Sequence, residues 1–139
     1  MTVLVIDAKG GGIGKQLIAA MKQKLPGVSV TAVGTNSAAT AAMLRAGADD
    51  AATGENAVVV GCRTADIIVG PIGIAIADSM LGEVTARMSL AVAQSRAEKV
   101  LIPVSHCGNV VVGVSSYNTT QLIQEAVGVI ERIIRDGKC

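Results

Sequence analysis

The chain has 139 residues, of which 50% are hydrophobic and 17% are charged, and its formal net charge at pH 7 is +1. The length suits one domain with its own core, and the composition excludes global disorder. The charges are nearly balanced, with no basic stripe and a single aromatic residue, which disfavours nucleic-acid binding.

Short apolar strands alternate with amphipathic helices along the chain. Strands are predicted at 3–7, 28–33, 49–52, 66–69, 100–104 and 110–114. Helices are predicted at 13–25, from the 34–37 turn to about 46, and at 55–64, 74–81, 85–97 and 119–135. The valines at 58–60 favour a strand, but the alternation favours a helix over 55–64. Asn36 or Ser37, and Thr85, are expected to cap helices through their side-chain oxygens.

This alternation implies parallel strands joined by right-handed crossovers. We therefore predict an α/β fold: a Rossmann-like three-layer sandwich with a mostly parallel sheet of about five strands, in the order 3-2-1-4-5. The chain has no Phe or Trp, so its core must consist of aliphatic residues and methionine. No linker, repeat or low-complexity tract divides it, so residues 1–139 are expected to form a single domain.

A glycine-rich loop, here called the glycine loop, covers residues 10–14 between the first strand and the first helix. The free N–H groups and the positive dipole end of a helix start attract phosphate, and glycine lets a ligand approach the backbone closely. The P-loop pattern does not fit, because Lys9 replaces its first glycine and Gln16 replaces its hydroxyl residue. The loop predicts a phosphate-bearing ligand; the alternative is a tight turn that serves packing alone.

The segment Gly12-Ile-Gly-Lys15 resembles the second half of the nucleotide-binding turn of short-chain dehydrogenases, Thr-Gly-x-x-x-Gly-Ile-Gly. Ala8 stands where that family has its first glycine, and Asp7 where it has threonine. The family's catalytic Tyr-x-x-x-Lys is absent, because Tyr117 is followed by Gln121 at the lysine position. The resemblance implies a nucleotide-type loop without dehydrogenase catalysis.

Five further segments are distinctive as a set: Asp7-Ala-Lys-Gly-Gly-Gly-Ile-Gly-Lys15, Gly34-Thr-Asn-Ser37, Gly47-Ala-Asp49, Thr53-Gly-Glu-Asn56 and Gly70-Pro-Ile-Gly73. Through them the chain resembles, over nearly its full length, a family of short bacterial proteins described only as a domain of unknown function. The resemblance implies a bacterial, intracellular protein and no particular activity.

In a doubly wound sheet, ligands bind beyond the carboxyl ends of the strands, where the strand order reverses. The glycine loop and the 70–73 turn would face each other across that crevice. The predicted ligand-binding residues are Gly10, Gly11, Gly12, Ile13, Gly14, Thr35, Asn36, Gly70, Pro71, Ile72 and Gly73. Helix capping and helix-start geometry are the alternatives for the 35–36 and 70–73 positions. No acidic residue ends the second strand to bind a ribose hydroxyl, so NADP or another nucleotide is expected.

Three side chains are candidates for catalysis. Asp7 ends the first strand beside the glycine loop, and His106 and Cys107 follow the 100–104 strand on the same rim. A carboxylate can serve in acid–base chemistry, and a histidine beside a cysteine can favour a thiolate. Two adjacent residues do not make a metal site, so no metal is predicted.

The cellular setting is predicted from absences in the sequence. The longest apolar run, 67–77, is about half of the ~20 residues that a spanning helix needs, and glycine and proline interrupt it. No signal-peptide pattern is recognisable, and the cysteines at 62, 107 and 139 are scattered and odd in number, as in a reducing compartment. A cytoplasmic protein without membrane contact is expected.

The leading hypothesis is a nucleotide- or dinucleotide-binding protein that holds a phosphate group at the glycine loop. The alternatives are a small enzyme acting on a phosphorylated metabolite and a ligand-free oligomeric interaction module. A homo-oligomer is also expected, because apolar residues surround most of the predicted helix within 72–81 and would leave one face exposed. Alternatively, the C-terminal helix covers that face.

Overall fold

A computed structural model describes residues 1–104 and 108–137, and in them five parallel strands form one sheet. The strands are β1 (Thr2–Asp7), β2 (Ser29–Gly34), β3 (Asp50–Thr53), β4 (Ile67–Pro71) and β5 (Glu98–Ile102). Their order is β3-β2-β1-β4-β5, and every neighbouring pair is parallel. The predicted α/β architecture and strand order are confirmed.

Helices cover both faces of the sheet. They are α1 (Gly12–Lys24), α2 (Ser37–Arg45), α3 (Glu55–Thr64), α4 (Ala86–Gln94) and α5 (Thr119–Asp136). On β1, Val3 and Val5 point into the core beneath α1, α2 and α5, while Leu4 and Ile6 point into the core beneath α3 and α4. The three layers follow from this alternation, and the helix predicted at 55–64 is confirmed.

Side-chain caps begin two of the helices as predicted. The Asn36 side chain accepts a hydrogen bond from Ala39 N at 2.9 Å, and the Thr85 hydroxyl accepts one from Met88 N at 3.2 Å. Both contacts satisfy a backbone N–H that has no partner inside its helix. α4 ends before Ser95, short of the predicted end at 97, because Ser95 is extended and its hydroxyl donates to a carbonyl of α3.

The strand predicted at 110–114 is wrong. This stretch forms no strand of the sheet, and Val110 and Val112 are 88% and 91% exposed. Strand propensity reflects how well a residue suits a half-buried pleated surface. Here a turn at 112–113, with Gly113 at a φ of 93°, interrupts the segment, and no such surface receives it.

The helix predicted at 74–81 is also wrong. Ile72–Ala75 forms one short 3₁₀ helix, and tight turns lead from it to α4. Met80 and Leu81 have φ angles of 57° and 59°, which a right-handed helix does not allow. The Ser79 hydroxyl donates to the Gly73 carbonyl, a local hydrogen bond of the kind that competes with helix formation.

These turns change the surface that the 72–81 segment presents. Met80 is buried and Ile76 is partly buried, whereas α5 lies on the opposite face of the sheet. The segment therefore has no continuous apolar helix face, and α5 does not cover it. Leu81 is the large apolar side chain of this segment that is strongly exposed, at 89%.

The junction of β1 and α1 is closely packed at Gly14. A Cβ atom added there would lie 2.5 Å from the Met43 sulfur and 3.0 Å from the Asp7 Cβ. Such distances are shorter than side chains in a packed core tolerate without displacement. Gly12, two residues earlier in the same helix, would meet no heavy atom within 4 Å.

We expect Gly14→Ala to lower the free energy of unfolding by about 1–3 kcal/mol, because the added methyl group overpacks the junction. Gly12→Ala is the matched control and should leave stability unchanged or raise it by up to about 1 kcal/mol through helix propensity. Urea denaturation of both variants measures the difference. Equal stabilities would contradict the packing role of Gly14.

A polar contact at the amino ends of β2 and β3 joins the end of α1 to the sheet. The Asp49 carboxylate accepts hydrogen bonds from Lys22 Nζ at 2.6 Å and from Val30 N at 2.8 Å. The hydrogen bond from Lys22, followed by the one from Val30, lowers the pKa of Asp49. Asp50, its neighbour in sequence, is exposed and forms no hydrogen bond or ion pair with the described residues.

We expect Asp49→Asn to lower the melting temperature at pH 7, whereas Asp50→Asn should leave it nearly unchanged. A carboxyl with a lowered pKa in the folded chain adds stability above its unfolded pKa, about 3.9, and loses that contribution as the pH falls through the folded pKa. The difference between wild type and Asp49→Asn should therefore shrink below pH ~4. Calorimetric scans across pH test this, and a constant difference would contradict it.

Candidate functional site

A cleft with a volume of about 340 Å³ lies at the carboxyl ends of β1 and β4, where the strand order reverses. Its walls include Asp7, Lys9, Gly10, Gly12, Ile13 and Gln16 from the β1–α1 junction, with Pro71, Met80 and Thr119 from other segments. We call it the glycine cleft. It lies at the switch point that the topology rule for doubly wound sheets indicates.

The four glycines of the glycine loop fall into two pairs. Gly11 has a φ of 71°, and a Cβ atom there would lie 2.9 Å from the Ala39 carbonyl oxygen, while Gly14 packs closely as described above. Gly10 and Gly12 line the cleft, have no φ in the left-handed region and would meet no heavy atom within 4 Å. Backbone conformation and packing thus explain why Gly11 and Gly14 are glycines, but they do not explain the glycines at 10 and 12.

Three N–H groups of the loop remain available at the cleft. Within the described part of the chain, the N–H groups of Gly10, Gly12 and Ile13 donate no hydrogen bond, whereas Gly11 N donates to the Ala8 carbonyl at 3.0 Å. The first N–H groups of a helix have no partner inside the helix and carry its positive partial charge. The cleft therefore offers a cluster of anion-binding donors.

The Asp7 carboxylate is buried beneath this loop. Its Oδ1 accepts a hydrogen bond from Ala8 N at 2.8 Å, and its Oδ2 accepts one from Gly14 N at 2.7 Å. A carboxylate at a helix start is stabilised by the helix dipole. Asp7 thus supplies an internal anion to the third residue of α1, a role that the sequence pattern did not predict. Because it takes the Gly14 N–H, an external anion would have to bind the outer N–H groups.

Glu83 is a residue near the glycine cleft that the sequence did not indicate. Its Oε1 accepts hydrogen bonds from Lys9 N at 2.8 Å, Thr35 Oγ1 at 2.7 Å and Asn36 Nδ2 at 2.8 Å. These contacts, with that of Lys9 N the largest, lower the pKa of Glu83. Glu83 precedes α4 and holds the β1–α1 and β2–α2 loops together. No sequence spacing marks it, because its partners lie far away along the chain.

The predicted ligand contacts at Thr35 and Asn36 lie outside the walls of the glycine cleft. Asn36 caps α2 and donates from Nδ2 to the Lys9 carbonyl at 2.9 Å, and Thr35 donates to Glu83. Both side chains thus connect loops of the protein itself. Capping, the alternative considered for these positions, describes the observed role of Asn36.

The 70–73 turn contributes one residue to the cleft, Pro71. A Cβ atom at Gly70 would collide with the Ile6 carbonyl oxygen, and one at Gly73 would lie 2.9 Å from the Met80 methyl group. Both glycines therefore serve close packing. Ile72, also a predicted contact, is partly buried and does not line the cleft.

Thr119, the first residue of α5, brings a second helix start to the cleft. Its hydroxyl forms no hydrogen bond with any residue that the structure describes. A general rule could have indicated it, because a helix that follows a parallel strand begins near the carboxyl edge of the sheet. The start of α5 was not predicted to lie there, because residues 103–118 separate it from β5 and a strand was wrongly predicted at 110–114.

The remaining candidates lie elsewhere. His106 and Cys107 fall outside the described residues. Cys62 is buried in α3, and burial raises the pKa of its thiol to about 11. Among residues 1–104 and 108–137, no three His, Cys, Asp or Glu side chains cluster as metal ligands would, and no helix there is long and apolar enough to cross a membrane.

Known structures and proteins give a limited comparison. A crystal structure described as a dodecameric FMN-dependent Ubix-like decarboxylase from Escherichia coli O157:H7 is similar over 97% of this chain and 94% of that chain, with 14% sequence identity and a TM-score of 0.43. At these values the likeness says nothing about ligand or activity. No curated protein gives a significant match.

The family comparison covers almost the whole chain. The model for "Domain of unknown function (DUF3842)" matches residues 2–135, which include the glycine loop, the Glu83 contacts and the start of α5. The resemblance to a family described only in this way is confirmed. The chain therefore belongs to the DUF3842 family, a domain of unknown function.

Proposed function

We propose that the glycine cleft binds a small phosphorylated ligand of the nucleotide type, with its phosphate on the N–H groups of Gly10, Gly12 and Ile13. The observation that carries the proposal is the open space at Gly10 and Gly12, where neither packing nor backbone conformation requires glycine. A side chain at either position would extend into the space that a bound phosphate needs.

The charges around the cleft support an anion on its outer side. The positive dipole ends of α1 and α5 both reach the cleft, at Gly12 and Thr119, and Lys9 lies in its wall. The Asp7 carboxylate also lies in the cleft wall and opposes an anion there, but both of its oxygens accept hydrogen bonds from backbone N–H groups, those of Ala8 and Gly14. The hydroxyl of Thr119, which forms no hydrogen bond with residues 1–104 or 108–137, adds a further hydrogen-bond donor.

Glu83 bears on the choice of nucleotide. It places a carboxylate beside Thr35 and Asn36, at the end of β2, where acidic side chains of dinucleotide-binding folds accept ribose hydroxyls. A carboxylate there would repel the 2′-phosphate of NADP. Among NADP and other nucleotides, we therefore favour one that carries free ribose hydroxyls.

No observation favours acid–base catalysis by Asp7, because its carboxylate oxygens accept hydrogen bonds from Ala8 N and Gly14 N. A contribution of His106 or Cys107 to an enzyme acting on a phosphorylated metabolite stays a prediction. We propose a cytoplasmic protein that binds its ligand, and the proposal includes no catalytic step.

Replacing Gly12 by Val is expected to weaken nucleotide binding at least about ten-fold, because a branched side chain would fill the phosphate position. Gly27→Val is the matched control. Gly27 also has open space around an added Cβ, but it precedes β2 at the amino ends of the strands, whereas the glycine cleft lies at their carboxyl ends. Calorimetric titration with ADP, NAD and NADP measures the affinities.

Two results would contradict the proposal. One is an affinity that Gly12→Val leaves unchanged while the protein stays folded. The other is the absence of binding by all three nucleotides together with the absence of any phosphorylated molecule in mass spectra of the natively purified protein. NADP binding as tight as NAD binding would contradict only the inference from Glu83.

We also propose that the protein forms a homo-oligomer, now on the basis of the segment at 110–117. Val110 and Val112 are almost fully exposed, and Tyr117 is half exposed. Neighbouring apolar side chains in water commonly mark an interface, and two-fold symmetric dimers are the commonest way to cover them.

The oligomer should dissociate when Val110 and Val112 are both replaced by Asp, because burying two charges in an apolar interface is unfavourable. Leu44→Asp, on the exposed side of α2, is the matched control. Sedimentation equilibrium at micromolar concentration measures the mass. A 14.0 kDa species for the wild-type chain would contradict the proposal.

A further inference from the structure

A second depression lies between α3 and α4, on the face of the sheet that these two helices cover. This α3–α4 groove has a volume of about 400 Å³. Val59, Cys62 and Ala91 form part of its apolar lining, and Leu90 beside them is 54% exposed. Among the described residues, none lines both this groove and the glycine cleft.

Three arginines surround this apolar lining: Arg63, Arg87 and Arg96. They are half of the six arginines in the chain, whose net charge is only +1. Within the described residues, Arg63 and Arg96 form no ion pair or hydrogen bond, and Arg87 has one contact, at 3.6 Å from a Glu55 oxygen. The positive charge at the groove is therefore largely uncompensated.

The arginines stand at both ends of the groove. Arg87 lies in the first turn of α4, whereas Arg63 lies in the last turn of α3 and Arg96 follows the end of α4. α4 rises about 1.5 Å per residue, so roughly 10 Å separate its first turn from its end. A single carboxylate cannot reach both ends, but acidic side chains two helical turns apart can.

We infer that the α3–α4 groove binds an acidic amphipathic segment of a partner protein, with its apolar side chains on Leu90 and Ala91 and its carboxylates on the three arginines. Helix-in-groove recognition uses apolar anchors at helical spacing, and arginine is enriched at interface hot spots. Nucleic acid fits poorly, because the groove offers three charges and no aromatic side chain for stacking.

The test uses a fluorescein-labelled synthetic helix of about four turns, with leucines on one face and Glu at both ends of that face. Fluorescence anisotropy with the full chain should show saturable binding that weakens as salt is raised. A peptide of the same sequence with Lys in place of each Glu should bind at least about ten-fold more weakly, because like charges would meet.

Variants locate the binding site. Replacing Arg63 and Arg96 together by Gln should weaken binding of the Glu peptide at least about five-fold. Replacing Arg132 and Arg135 of α5 by Gln removes the same charge from the opposite face and should leave the affinity unchanged. Leu90→Glu, at an exposed position that keeps the fold, should abolish binding.

The inference is overturned if the wild-type chain does not bind the Glu peptide, if the Lys peptide binds equally well, or if the two double variants bind alike. Amide chemical-shift changes confined to α3 and α4 would support it, and changes centred on α1 or α5 would contradict it. Nucleotide titrations report on the glycine cleft separately, so failure at one site leaves the other testable.

Discussion

The hydrogen bond from Gly14 N to the Asp7 carboxylate is the contact on which the geometry of the rim depends. It joins the last residue of β1 to the first turn of α1 over 2.7 Å in a buried setting. Hydrogen bonds to charged groups contribute about 1.5–3 kcal/mol, and the helix dipole adds to this one. Gly14 has no room for a side chain, because a Cβ atom there would lie 2.5 Å from the Met43 sulfur and 3.0 Å from the Asp7 Cβ.

That contact also decides which atoms of the loop face outward. Asp7 accepts from Gly14 N, and the loop N–H groups that donate to no other described residue are those of Gly10, Gly12 and Ile13, beside the open cleft. The Asp7 carboxylate also lies in the wall of this cleft, where its oxygens accept hydrogen bonds from Ala8 N and Gly14 N.

Glu83 also joins separate segments, in this case the loops that follow β1 and β2. The strand order reverses between β1 and β4, so the loops that leave β1 and β2 diverge from the segment that follows β4. One carboxylate oxygen accepts hydrogen bonds from Lys9, Thr35 and Asn36 and draws these loops together. The turns at Met80 and Leu81, with their left-handed φ angles, carry the chain to the position that this contact requires.

Local sequence patterns were sufficient to predict the parallel sheet and most of the helices that cover it. Buried strands such as β1 and β4 are continuous apolar runs, and Asn36 and Thr85 are capping residues at helix starts, so their structure follows from neighbours in sequence. The same patterns failed at 74–81, where residues with left-handed φ angles make tight turns, and at 110–114, where exposed valines have no surface to cover. Glu83 and Thr119 were missed because their roles depend on contacts between distant segments.

The central position of β1 has a consequence for synthesis. β1 is the first strand in chain order, and its second neighbour, β4, begins only at Ile67. While the chain emerges from the ribosome, β1, β2 and β3 can pair beneath α1 and α2, but Leu4 and Ile6 must wait for α3 and α4. Nascent chains with uncovered apolar surface are prone to aggregation. The order of the sheet therefore sets an interval during translation in which the core residues on this face of β1 stay uncovered.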